Sequence, residues 1–252
     1  VVQHKSDTSE EDLERIFKSG LISFCEMAHS LGIQITPYRE DTWEKFRTLP
    51  TTLKKDAFRK FSSYSHVCIS ASKAGFRLDD DRQLTWWVLK ELKLRPCSDF
   101  FDKLEVDDVL EIYNADGIQI HRNWAFFYIS GYTLGDLFIY PWVELYQRDA
   151  GPIEHLMNQA AKCLSGEVRS TFPYGIGQHR IQELLSPTKN VMDISFKYLS
   201  PLFNEAGKPV AFFITSRVEK ISSDAPPVDD SHILTTPESG TKRGRTHLAV
   251  VR

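Results

Sequence analysis

The chain has 252 residues, enough for one large domain or two modest ones that each close a hydrophobic core. With 41% hydrophobic and 26% charged residues and a formal net charge of -3, its composition is that of a soluble globular protein, and it excludes a general electrostatic attraction to nucleic acid or to an acidic membrane. No apolar run approaches the roughly 20 residues of a bilayer span, and Cys25, Cys68, Cys97 and Cys163 lack the close spacing of a zinc or CxxC site, so the chain reads as cytoplasmic with reduced thiols.

Thr8 and Ser9 followed by Glu10, Glu11 and Asp12 supply an N-cap and negative charge for a first helix. Leu13, Ile16, Phe17, Leu21, Phe24, Met27 and Ala28 place an apolar stripe on it up to about Gly32, suited to core packing or to dimerisation. Two further helical stretches, 42–48 and 52–64, are separated by Pro50, which disfavours helix through the residue before it. Asp79, Asp80 and Asp81 cap a fourth helix carrying Leu84, Trp86, Trp87, Val88, Leu89 and Leu92, stopped by Pro96. A divalent-cation site is the weaker reading of that triplet, since the spaced ligands and glycine turn of a calcium loop are missing.

At Asp108 the period changes from helical to alternating. Val109, Glu111 and Tyr113 face one way, Leu110 and Ile112 the other, and a turn at 114–117 leads to Ile118, Ile120 and Arg122 as the second strand of a hairpin. A helical stretch over 123–164 is broken at Gly131, Pro141 and Gly151. Val168, Ser170 and Phe172 mark a third strand, 175–187 a long connection, Met192, Ile194, Phe196 and Tyr198 a fourth strand, and 209–215 a fifth. Residues 222–252 are too poor in apolar side chains to offset their ordering entropy and read as a disordered tail with a basic group at Lys242, Arg243 and Arg245.

Residues 110–118 with Arg122-Asn123, then Phe126-Phe127, Gly131-Tyr132, Pro141-Trp142, Glu144-Leu145, 196–202 and 205–210 together resemble the PAS family in order and spacing across residues 104–220. Together with the helical pattern of residues 1–103, which the resemblance does not cover, it implies an α+β fold: a helical N-terminal region (1–103), then a PAS-like five-stranded antiparallel sheet covered by short helices (104–221), then the tail. It also implies a cavity for a small ligand, a sensing or protein-interaction role in place of catalysis, and a homodimer for which the stripe from Leu13 to Ala28 is the candidate surface.

For that cavity the candidate lining residues are Trp124, Phe127, Tyr132, Trp142, His155, Phe196 and Ile214, although such aromatics more often simply fill the core. His155 stands on the helix before the third strand, similar to the proximal histidine of the haem-binding PAS branch, which makes a haem gas sensor one alternative. The arginine of that branch has no convincing match. No Asn-Cys-Arg flavin motif, P-loop or HExxH is present. A second alternative is a transcription regulator contacting DNA through Lys45, Arg47, Lys54, Lys55, Arg59 and Lys60, a set diluted by Asp41, Glu44 and Asp56. The leading expectation is a regulatory module that binds a small molecule or protein partner and relays the change through its N-terminal helices.

Overall fold

The computed structural model describes residues 9–221; the expected tail and its basic group lie outside them. Four helices come first: α1 (Glu10–Ser30), α2 (Glu40–Thr48), α3 (Thr51–Lys73) and α4 (Asp81–Glu91). Ser9 caps α1 by accepting from Asp12 N at 3.1 Å, and Asp80 caps α4 by accepting from Gln83 N at 3.0 Å, so one member of the acidic triplet performs the expected capping. The apolar stripe of α1 is consumed inside the chain: Leu13, Phe17, Leu21, Phe24, Cys25 and Ala28 are all buried, with Phe17 against Phe46 (4.5 Å between ring centroids) and Phe61 (5.6 Å). Of the stripe, Ile16 stays exposed and Met27 is half-buried, so only the part that packs on α2 and α3 is closed to a partner chain.

The second part alternates strands and short helices: β1 (Val109–Asn114), β2 (Gln119–Arg122), α5 (Ala125–Ile129), α6 (Leu134–Ile139), α7 (Trp142–Leu145), β3 (Tyr146–Arg148), α8 (Ala150–Ser165), β4 (Phe172–Pro173), β5 (His179–Glu183), β6 (Val191–Phe203) and β7 (Pro209–Lys220). All pairings are antiparallel, in the order β2-β1-β7-β6-β5-β3, with β4 added beside β6. The α+β class and the succession of helical region, then sheet with short covering helices, are as expected.

The strand count is not. Among the described residues seven strands replace five, and the third expected strand around Val168 shrinks to the two residues of β4. Its place beside β6 is taken by β5, inside the stretch read as a connection. The reason is chemical: of the alternating set His179, Ile181 and Glu183, only Ile181 is apolar, so β5 carries no hydrophobic alternation. β3 interrupts the stretch read as helical and, at three residues, is too short to show any period.

Register partners share a face, so one side of the sheet carries Val109, Glu111, Arg122, Ile214, Ser216, Phe196, Ile194, Met192, Ile181 and Arg148. The opposite face carries Leu110, Ile112 and Phe213, with Phe213 held edge-on by Phe100 at 4.2 Å. Both faces are therefore covered, and the buried side chains of helices and sheet form one continuous cluster. Gly131 marks a close approach: its N–H donates to Glu183 Oε1 at 2.7 Å, and a Cβ there would collide with Ser186 and Thr188.

The basic set read as a possible DNA contact is largely spent within the chain. Lys54 is 1% exposed and donates to Glu10 and Glu14, Arg47 pairs with Glu44 (3.1 Å), and Arg59 and Lys60 both pair with Asp56 (2.6 Å each). Among the described residues no helix is long and apolar enough to cross a membrane.

Candidate ligand cavity

The curl of the sheet brings its two edge strands, β2 and β3, to one small cavity of about 30 Å³. Arg122 enters from β2 and Arg148 from β3; Phe126 and Ile129 of α5 form the roof, and Ile181, Met192, Ile194 and Phe196 supply apolar wall. As it stands, such a space holds roughly one or two waters.

Arg122 is 4% exposed. Its guanidinium lies 3.7 Å above the Phe126 ring and donates through one terminal nitrogen to Glu111, its register partner across the hairpin. Its Nε and other terminal nitrogen have no partner. Burial is the largest influence and works against the charge, but Glu111 together with Tyr113 and Tyr146 outweighs it and holds the guanidinium above its ordinary range. Glu111 is in turn fixed by Gln119 Nε2 (2.8 Å) and by the Tyr113 hydroxyl (3.2 Å).

Arg148 lies over the rings of Tyr146 (4.9 Å) and Trp142 (5.1 Å). It forms no ion pair among the described residues, and its Nε is buried without a partner. Beside it, burial first and the Arg148 charge second push His179 down to about 4, so this imidazole is neutral at pH 7. Its Nδ1 is also unpartnered.

Of the residues expected from sequence to line a cavity, Phe196 does so, Ile214 sits on the same sheet face opposite Glu111, and Trp142 supports Arg148. Trp142 also lines a second hollow of about 260 Å³ with Lys60, Tyr64 and His121. Trp124 is wedged against Phe24 (5.8 Å), Tyr64 (6.3 Å) and Phe127 (6.1 Å). Tyr132 is a clamp: its hydroxyl donates to Leu145 O and accepts from Leu184 N and Leu185 N at 3.2 and 3.3 Å. His155 stands outside this cavity, with Nε2 2.8 Å from Tyr174 O, a contact that iron ligation through that atom would have to break. Among the described residues, no three His, Cys, Asp or Glu side chains gather as a metal site.

Sequence reading missed Glu111, Arg122, Tyr146 and Arg148. For the first two, charge on strands with an inward face was visible, but the 114–117 turn alone would set Glu111 opposite His121, and it is a bulge next to Tyr113 that brings Arg122 opposite Glu111. Nothing local marks Arg148, because β3 itself is not legible.

His121, on the reverse side of β2, is 2% exposed and stacks on Tyr64 at 5.9 Å with Nε2 unpartnered. Burial pushes it down to about 3. An unfolded imidazole titrates near about 6.5, so between those values the unfolded chain binds a proton that the folded one refuses, and stability falls as pH falls. At pH 5 the expected loss from His121 alone is about 2 kcal/mol, with His179 adding in the same direction. Urea midpoints at pH 7 and pH 5 check this; His121→Gln should show a clearly smaller loss, and an identical loss in both proteins removes His121 as the cause.

No family model and no curated protein matches the sequence. Among solved structures, similarity is found to a sensory box sensor histidine kinase from Vibrio cholerae (17% identity, TM-score 0.31, covering 49% of this chain and 90% of that one). It is also found to a domain of a light and redox sensing histidine kinase from Haloarcula marismortui (17% identity, TM-score 0.27, covering 49% and 96%).

Proposed function

We propose that this chain is a sensory module in which occupancy of the cavity beneath α5 shifts the packing of the N-terminal helices. The observation that carries the reading is the segment from Arg122 to Phe127, which touches the cavity and the helical region at once. Arg122 places its guanidinium at the cavity while its carbonyl accepts from the Tyr64 hydroxyl of α3 at 3.1 Å. Asn123 donates to Asp81 of α4 at 3.0 Å and to Asp108 O at 2.8 Å. Trp124 stacks on Phe24 of α1, and two residues later Phe126 roofs the cavity.

A ligand larger than the present space has to lift α5, a helix of five residues, and lifting it strains the contacts that Trp124 and Tyr64 make. Two packings then differ in ligand affinity, which is what a population shift requires. Filling the cavity without a ligand tests this. Val218→Phe, by overpacking, is expected to raise native-state hydrogen exchange in α5 and in the facing turns of α1 and α3 by roughly tenfold or more, under conditions where global unfolding does not contribute. A change confined to the sheet and α5 would sink the relay.

A further inference from the structure

We infer that the cavity takes a small carboxylate, gripped between the guanidiniums of Arg122 and Arg148. The inference rests on reading the cavity as a ligand site and adds the ligand's chemical class. Two positive groups line the cavity and one carboxylate, Glu111, answers them; that carboxylate is already engaged by Arg122, Gln119 and Tyr113. The other buried carboxylate nearby, Glu183, is turned to its own loop, where it accepts from Gly131 N, Ser186 Oγ, Thr188 Oγ1 and Asn190 N. Arg148, half-buried, is left with no ion-pair partner among the described residues and with its Nε buried and unpartnered. Buried N–H groups without acceptors are costly, and the cavity carries three of them on two cationic side chains, Arg122 Nε and a terminal nitrogen and Arg148 Nε.

The geometry of the donors selects the ligand. Arg122 keeps Nε and a terminal nitrogen unpartnered. Because Glu111 holds the other terminal nitrogen, the one beside Nε, the two free donors lie on different edges of the guanidinium and each offers a single charge-assisted hydrogen bond to an anion oxygen. Its rotation is restrained on one side by Glu111 and on its face by Phe126, so these donors are held before any ligand arrives. Arg148 brings a third free donor, Nε, from the opposite edge of the sheet, its guanidinium likewise lying over rings. A single missing negative charge calls for a monovalent anion, and the walls formed by Ile181, Met192, Ile194 and Phe196 suit a short hydrocarbon end. Both features favour a carboxylate over phosphate.

The test is a titration of the intact chain with formate and acetate, with formamide, acetamide and inorganic phosphate as comparators. The ¹⁵Nε–¹Hε resonances of Arg122 and Arg148 are followed by NMR. Saturable shifts of both resonances with the two carboxylates, and none with the amides, are expected. Arg122→Ala strands Glu111 in the interior, so the informative variant is Arg148→Gln on the edge strand. It should weaken acetate binding by about 10- to 100-fold, the value of one charge-assisted hydrogen bond, with the Arg122 resonance still in its place in the ligand-free spectrum. No saturable shift with either carboxylate, an equal response to the amides, or a response to phosphate alone overturns the assignment. If that happens while the Val218→Phe wedge still loosens α1 and α3, the ligand class is wrong and the sensory reading stands. If the wedge is silent while carboxylate binding is intact, the ligand class stands and the relay to the helices falls.

Discussion

Asp136→Ala is expected to lower the unfolding free energy by about 3–5 kcal/mol, the cost of removing one partner from a buried ion pair. Asp136 is fully buried. Its two oxygens accept from Arg39 (2.6 Å) and Thr42 Oγ1 (2.6 Å) in the helical region, and from Thr133 N (2.7 Å) and Thr133 Oγ1 (2.8 Å) at the start of α6. Arg39 continues the network by donating to Leu185 O at 2.9 Å, on the connection after β5. One carboxylate thus ties α2, α6 and the β5–β6 connection together. Taking it away leaves Arg39 with the exposed Asp41 and leaves Thr42 and Thr133 buried with unmet donors. Urea unfolding measures the loss, and a thermal midpoint should fall by roughly 2–4 °C for each kcal/mol in a chain of this size. Asp136→Asn, which keeps acceptor capacity at one oxygen, should lose clearly less. A loss under about 1 kcal/mol for the Ala variant contradicts the account.

Trp124→Ala is expected to cost about 3–5 kcal/mol as well, by a different mechanism. Its indole N–H has no partner, so the loss is one of packing: the ring fills the space between Phe24, Tyr64 and Phe127 at the junction of helices and sheet. The two halves share one hydrophobic cluster, and a void at their junction should loosen α1 and α5 together. Hydrogen exchange on the variant checks this, because protection should fall in the turns around Phe24 and Phe127 by more than in the β6–β7 hairpin. Trp124→Phe should recover most of the stability. If Trp124→Ala loses protection only in α5, the indole is local filling and the coupling of the two halves runs through Asp136 and Tyr64 instead.

Much of the fold was legible in the chain. The stripe from Leu13 to Ala28, the caps at Ser9 and Asp80 and the Pro50 break define four helices by local rules, and the alternation in 109–113, 192–198 and 209–215 defines three strands. These elements bury apolar side chains at regular intervals, and that regularity is what a one-dimensional reading detects. The candidate site was hidden for the converse reason. It is built where the pattern breaks: Arg122 and Glu111 put charge on an inward face, His179 and Glu183 remove the apolar rhythm from β5, and β3 is three residues long. Such exceptions gather at sites that bind, since ligand chemistry and core chemistry make opposite demands on a side chain.

The sequence by itself therefore determined the α+β class and the division into a helical part and a sheet part, while the bulge that sets Arg122 against Glu111 was left to the fold. Only the tertiary structure decided that the stripe of α1 faces α2 and α3, that Trp124 joins the two parts, and that Arg122 and Arg148 meet. The reason is physical. Helix and strand periods are local properties of neighbouring residues, whereas the meeting of two edge strands depends on the accumulated twist and curl of every strand between them.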